Sequence, residues 1–182
     1  MNLPANISER RARVRLALTW VFFLATIFLS LVAACAVFGI RFNVTESLPG
    51  LVYIITRDSS SPVIEFCPEG AFSQLSKERG YRGRGICPDG ASPMLKPIVA
   101  RAGDTVEVSA NGITVNGTLL HNTSPRTRDS PRGRPLTPWR FGRYIVPPGF
   151  VWVASQYNPL SFDSRYYGPI PASQICHRLR PL

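Results

Sequence analysis

The stretch that decides the fold is Thr105-Val106-Glu107-Val108-Ser109-Ala110-Asn111-Gly112-Ile113-Thr114-Val115. Apolar and polar residues alternate with period two on both sides of Asn111-Gly112, which is the pattern of two strands joined by a tight hairpin turn. Asn116-Gly117 marks a second turn, and two further strands, at 144–146 and 150–154, flank Pro147-Pro148-Gly149. The outer part of the chain is therefore predicted to be mainly β.

A long apolar segment precedes this β-rich part. Residues 16–40 carry no charge and would form a helix of about 37 Å, enough to cross a hydrocarbon core of about 30 Å. Four arginines stand just before it between positions 10 and 15, so the positive-inside rule places residues 1–15 in the cytoplasm. The sequence predicts a single transmembrane helix, with residues 41–182 outside the cytosol.

Two alternatives to a permanent anchor stay open. Ala33, Ala34 and Ala36 are the small residues that cleavage of a secretory signal needs, although the uncharged stretch is long for such a signal. Val32-Ala33-Ala34-Cys35 is similar to a lipobox and would leave Cys35 acylated. Either outcome leaves the rest of the chain on the outer face.

The formal net charge of +10 is not taken as a sign of nucleic-acid binding. Four arginines serve as topology signals, and basic residues are not interleaved with aromatic residues at a strand period. Several other arginines lie in the Pro/Arg-rich segment 122–138, which we expect to be a mobile loop. Contact with anionic lipid headgroups is the favoured use of this charge.

Cys67 and Cys87 each begin a Cys-Pro-acidic-Gly turn within the segment 61–93, which we interpret as an insertion. A disulfide between them would fit an oxidising compartment and would stabilise the fold by about 3 kcal/mol. A zinc site is the alternative, but the two histidines of the chain make no recognised ligand spacing. Cys176 has no assigned role.

Lys96 lies in the apolar run Met94-Leu95-Lys96-Pro97-Ile98-Val99, in a chain with 19 arginines and only two lysines. A desolvated lysine can lose its proton and act as a general base, whereas arginine stays charged. Its candidate partner is Ser47, in the turn Ser47-Leu48-Pro49-Gly50 just after the anchor, because serine needs a base to become a nucleophile. The alternatives are a surface lysine and an ordinary structural turn.

A third block, Ser161-Phe162-Asp163-Ser164-Arg165, completes a pattern. The order of the serine block, the lysine before Gly103-Asp104-Thr105-Val106 and this third block resembles the type I signal peptidase family. The start Ser-Leu-Pro-Gly-Leu-Val-Tyr and the two Cys-Pro turns look like its conjugative-transfer branch, the TraF-type pilin-processing peptidases.

This resemblance implies a signal-peptidase-like antiparallel β-barrel domain, held in the bacterial inner membrane with its catalytic domain in the periplasm. No metal or organic cofactor is implied. The implied roles are Ser47 as nucleophile, Lys96 as general base, Thr45 as oxyanion donor, Ser161 as the group that orients the lysine amine, and Asp163 and Arg165 as a bracing ion pair, with Asp163 also linked to peptide ligation.

The expected function is that of a membrane-anchored serine endopeptidase that cleaves a conjugative pilin precursor by acyl transfer, with head-to-tail cyclisation as one outcome. Its expected partners are the membrane-tethered pilin precursor, the lipid bilayer and conjugative secretion components. A general secretory signal peptidase and a non-catalytic scaffold module are the alternatives. The first is weakened because Ala154-Ser155-Gln156 stands where general signal peptidases carry Gly-Asp-Asn.

Overall fold

The computed structural model describes residues 7–45, 47–130 and 132–182. It separates into two compact units, of which the first ends at Ile40 and the second begins at Arg41. Six residues of the segment 1–15, for which a cytoplasmic location is predicted, lie outside the described residues, as do Glu46 and one residue of the predicted mobile loop, Pro131.

The first unit consists of helix α1 (Ile7–Val37). The span from Glu9 to Val37 has a mean hydropathy of 2.5 in its most apolar window, and none of that window is buried. A helix of 29 residues is long enough to cross a bilayer, and an exposed apolar surface of this size is unusual for a protein in water. Helix α1 ends three residues before the end of the apolar segment, and strand β1 (Ile40–Phe42) follows.

The second unit is built mainly from short strands, which confirms the predicted fold class. Two helices, α2 (Gly70–Glu78) and α3 (Ser164–Tyr167), and a 3₁₀ turn (Ala172–Gln174) interrupt them. The remaining strands are β2 (Val52–Thr56), β3 (Val63–Phe66), β4 (Met94–Ala100), β5 (Thr105–Ser109), β6 (Gly112–Val115), β7 (Thr118–Leu119), β8 (Gly142–Ile145), β9 (Phe150–Val153), β10 (Ile170–Pro171) and β11 (Ile175–Pro181).

The strands form two sheets. The larger has the order β1-β2-β11-β3-β4-β9-β10, and the smaller has the order β7-β6-β5-β8. The pairs from β2 to β10 and all pairs of the smaller sheet are antiparallel. Strands β8 and β9 are neighbours in sequence but belong to different sheets, so the chain changes sheet at Pro147-Pro148-Gly149. Each sheet contributes strands to an apolar core.

The predicted hairpin is present, with its turn displaced by one residue. Ser109 pairs with Gly112, so the connecting residues are Ala110 and Asn111 rather than Asn111 and Gly112. The second turn is as predicted, because Val115 pairs with Thr118 around Asn116-Gly117. Both turn residues have positive φ, 49° and 84°, which asparagine and glycine tolerate better than other residues and which a type I′ hairpin turn requires.

Cys67 and Cys87 form a disulfide. This bond excludes the zinc alternative for these two residues, because their sulfurs are not available as thiolate ligands. Helix α2, of 9 residues, lies between them in sequence. Cys35 and Cys176 are free.

Candidate active site

Lys96 lies in the middle of β4, a strand of the larger sheet flanked by β3 and β9. Burial alternates along β4 and includes Met94, Lys96 and Ile98. These three side chains share one face because successive side chains of a strand point to opposite sides. The amine of Lys96 is thus held on an apolar, buried face by the strand itself.

Ser47 lies in the turn that connects β1 to β2, and its side chain is buried. The side-chain amide of Asn43 donates to the carbonyl oxygens of Leu48, at 2.8 Å, and Gly50, at 3.0 Å. The backbone of Asn43 also donates to Leu51 O at 2.8 Å. These bonds hold the turn on both sides of Ser47.

The structure brings three of the predicted site residues together. Lys96 Nζ lies 2.5 Å from Ser47 Oγ and 2.8 Å from Ser161 Oγ. Burial lowers the pKa of Lys96 from 10.5 to about 8, an effect that the Asp163 carboxylate opposes and the Arg165 guanidinium assists. Close to neutral pH a fraction of the amine is therefore uncharged and can accept the serine proton.

Thr45 is exposed, and its hydroxyl lies 3.4 Å from Ser47 Oγ. At this distance the bond is weak, because O–H donors usually approach within about 3 Å. In the structure Thr45 faces the nucleophile rather than a separate oxyanion position. Its exposed side chain is free to turn towards a bound substrate.

Asp163 and Arg165 form an ion pair with each other and do not touch the Ser47 or Lys96 side chain. Both side chains are completely buried, and Arg165 donates through Nε at 2.8 Å and Nη2 at 2.7 Å to the two carboxylate oxygens. Asp163 also accepts from the Arg165 backbone N–H at the start of α3. Arg165 further donates to the carbonyl oxygens of Asn122 and Pro159. The pair therefore braces the loop that carries Ser161.

Ser155 is a member of the site that the sequence analysis did not assign. It is fully buried, and its hydroxyl donates to the carbonyl oxygen of Ser47 at 2.6 Å. Asn43 was missed in the same way. The sequence signal was present only as the departure of Ala154-Ser155-Gln156 from Gly-Asp-Asn, which does not reveal the contact.

A cleft of about 310 Å³ opens onto Ser47 and Lys96. Its walls include the apolar side chains of Met94, Leu95 and Phe162. This apolar part of the cleft suits the small or apolar side chains of an extended peptide, because such surfaces exclude water from the reacting atoms. Charged residues, among them Glu65 and Asp129, also line the cleft. Among the described residues, no group of three or more His, Cys, Asp or Glu could hold a metal ion.

The sequence pattern of the family described as signal peptidase, peptidase S26, matches residues 13–181 of this chain. The plasmid transfer protein TraF of Escherichia coli is 39% identical over 151 residues, which are 79% of this chain and 82% of that protein. The probable conjugal transfer protein TraF of Sinorhizobium fredii is 34% identical over 181 residues, 96% and 94% of the two chains. A crystal structure of a signal peptidase I from Enterococcus faecalis aligns with 69% of this chain and 99% of its own, with 17% identity and a TM-score of 0.37.

Proposed function

This chain belongs to the signal peptidase family, peptidase S26, and from that premise we propose that Ser47 and Lys96 are the catalytic dyad of a membrane-anchored endopeptidase. The observation that supports this most directly is the 2.5 Å separation of Lys96 Nζ and Ser47 Oγ. Burial, which lowers the pKa of that amine to about 8, supplies the second requirement, a base of which a fraction is neutral near physiological pH.

The proposed reaction is acyl transfer. Neutral Lys96 takes the proton of the Ser47 hydroxyl while Oγ bonds to the carbonyl carbon of the scissile peptide. The tetrahedral intermediate expels the amine of the departing segment, which receives the same proton back from the Lys96 ammonium. Ser161, whose hydroxyl bonds the amine at 2.8 Å, keeps the nitrogen lone pair directed at Ser47.

The oxyanion of this intermediate needs hydrogen-bond donors. The backbone N–H of Ser47 and the hydroxyl of Thr45 are the proposed pair, and the exposure of Thr45 lets its side chain rotate to that position as substrate enters. One such donor contributes about 3 kcal/mol to transition-state binding. Asp163 has no direct part in this scheme, because both of its oxygens are already engaged.

The proposed substrate is the membrane-tethered precursor of a conjugative pilin. This proposal is supported by relatives whose names refer to plasmid and conjugal transfer and by the apolar cleft beside the dyad. Attack of water on the acyl-enzyme ester releases a linear pilin, whereas attack of the substrate's own amino terminus on the same ester would release a cyclic pilin. Apolar walls favour the amine because they hold little competing water.

The proposed location follows from α1 and from the arginines before it. The span from Glu9 to Val37, whose most apolar window has a mean hydropathy of 2.5, fits the bacterial inner membrane, and the positive-inside rule then puts the catalytic unit in the periplasm. The Cys67–Cys87 disulfide is consistent with this oxidising side of the membrane. Components of a conjugative secretion complex are the proposed partners there.

The test is processing of the pilin precursor by the full-length protein in membranes. Ser47→Ala and Lys96→Arg should each reduce cleavage by at least roughly 10³-fold. Ser47→Ala removes the nucleophile, and Lys96→Arg replaces the amine by a guanidinium that stays protonated and cannot act as a base. Ser60→Ala and Lys77→Arg are matched controls at exposed positions. Normal processing by Lys96→Arg would show that the general-base assignment is wrong.

Two measurements separate the remaining alternatives. The mass of the mature pilin distinguishes the products, since ring closure leaves the peptide lighter by one water. Growth of a strain that lacks its housekeeping signal peptidase tests the general secretory role, because only an enzyme that accepts many preproteins would restore it. A scaffold without catalytic activity would process the precursor no faster than Ser47→Ala.

A further inference from the structure

The buried hydroxyl of Ser155 bonds to the backbone of the candidate nucleophile across 108 positions of sequence. Strand β9 brings it there. Ile98 pairs with Val153, and Ala154 N donates to Pro97 O. One further step along the same antiparallel register places residue 155 beside residue 96. Ser155, two residues beyond the end of β9, therefore lies at the level of Lys96, next to the turn that holds Ser47.

The direction of the Ser155 hydroxyl proton is fixed by its other neighbours. Ser155 Oγ accepts from the backbone N–H groups of Tyr157, at 3.2 Å, and Asn158, at 2.9 Å. A hydroxyl has one proton and two lone pairs, and both of these partners can only donate. The single proton must then point to the third neighbour, Ser47 O, which can only accept and lies at 2.6 Å.

Ser155 is also tied to the buried ion pair. Its backbone N–H donates to Asp163 Oδ2 at 3.0 Å, and Asp163 is held by Arg165. Six residues beyond Ser155, the same loop carries Ser161, whose hydroxyl bonds the Lys96 amine. The segment 155–161 thus contacts the backbone of Ser47 through Ser155 and the amine of Lys96 through Ser161.

We propose that Ser155 is a positioning residue that fixes the peptide plane after Ser47 and so keeps Ser47 Oγ directed at Lys96, a role that rests on the proposed peptidase function. Rotation of that plane changes the ψ angle of Ser47 and moves the nucleophile relative to the base. Asn43 restrains the next carbonyl, that of Leu48, but does not bond to the Ser47 carbonyl. Ser155 supplies the restraint closest to the reacting atom.

The test is acylation of the full-length protein in detergent micelles by a p-nitrophenyl ester of a short alanine peptide. The serine oxygen bonds to the acyl carbon, p-nitrophenolate leaves and is recorded by absorbance, and mass spectrometry locates the acyl group on Ser47. Rates are taken per folded molecule across the pH range. Ser155→Ala should lower the high-pH plateau roughly 10- to 100-fold without moving the midpoint, because no charge changes.

Three further variants separate positioning from packing. Ser155→Cys keeps the volume but donates weakly, so its plateau should lie between those of wild type and Ser155→Ala. Ser155→Thr keeps the hydroxyl and should restore most of the rate. Ser61→Ala is the matched control, because Ser61 is another buried serine that donates to a backbone carbonyl, that of Leu179; it should lower the melting temperature and leave the plateau unchanged.

A wild-type plateau in Ser155→Ala would overturn the inference while leaving the proposed peptidase function intact. If Ser155→Ala does not fold, a wild-type plateau in Ser155→Cys would overturn it equally. Failure of the wild-type protein to become acylated at Ser47 is a different result, which would remove the proposed function and this role with it.

Discussion

Replacement of Lys96 by methionine should abolish acylation and, at neutral pH, make the folded protein more stable. The reason is that the strand holds an amine where a charge is unfavourable. Burial lowers the pKa of Lys96 from 10.5 to about 8, and such a fall corresponds to a penalty of about 3 kcal/mol on the charged form in the folded state. Methionine has a similar length, no charge and apolar neighbours in Met94 and Ile98.

The gain must be reduced by the lost hydrogen bonds. Lys96 bonds the hydroxyls of Ser47 and Ser161, and each bond contributes about 1 kcal/mol net. Lys96→Met should therefore raise the free energy of unfolding by about 1 kcal/mol at pH 6 to 7.

The pH dependence of this difference has a definite sign. Below about pH 8 the amine is charged in the folded and unfolded states, so the wild-type protein bears the full penalty. Between about pH 8 and 10.5 the folded state binds fewer protons than the unfolded state, and wild-type stability rises with pH. The advantage of Lys96→Met should shrink through this window and reverse above it, where only the cost of the two lost hydrogen bonds remains. Tyrosines that titrate at high pH are common to both proteins and cancel in the difference.

The assay is urea unfolding of the full-length protein in detergent micelles, followed by fluorescence of the buried Trp152, from pH 6 to above 10.5. Lys77→Met is the control, because Lys77 is the other lysine of the chain and is exposed. If Lys96→Met were no more stable than wild type at pH 6 to 7, or its advantage did not depend on pH, the argument that burial disfavours the charged form of this amine would be refuted.

Two further predictions concern the rate and the disulfide. The acylation rate of the wild-type protein, measured by stopped flow, should rise with pH to a plateau. Its midpoint should lie near the Lys96 pKa of about 8. A midpoint below about pH 6 or above about pH 10 would contradict the assignment of Lys96 as the base. Replacing both Cys67 and Cys87 by alanine should lower the free energy of unfolding by about 3 kcal/mol, because the disulfide closes a loop with a sequence separation of 20; unchanged urea midpoints would contradict this.

Local pattern predicted the elements but not their partners. Period-two alternation and the Asn-Gly turns located strands β5 and β6 and the turn that leads to β7, because hairpin partners are adjacent in sequence. The same pattern gave no information on where β8 and β9 would pair, since a strand's alternation specifies its faces and not its neighbours. Strand β8 pairs with β5 and strand β9 pairs with β4, and both of these partners lie far earlier in the sequence.

The candidate site shows the same division. Lys96 was predicted because a single lysine in an apolar run is chemically unusual within a short window of sequence. Ser47, Thr45 and Ser161 needed the order of three blocks, because a serine in a turn has no local signature. Ser155 was predicted neither from local residue chemistry nor from the order of the three blocks, because its contact with Ser47 O arises only after β9 has paired with β4.

The buried ion pair reconciles two demands that the site makes on Asp163. A carboxylate is needed to accept from Ser155 N and from the start of α3, but an uncompensated carboxylate nearby would raise the pKa of Lys96 and keep its proton. Arg165 cancels that charge while filling the carboxylate oxygens. A neutral side chain in place of Asp163 would leave the Arg165 guanidinium buried without a counter-ion, which is costlier than the pair. The Asp163–Arg165 pair therefore anchors the loop that carries Ser161 without raising the pKa of the Lys96 amine as an uncompensated carboxylate would.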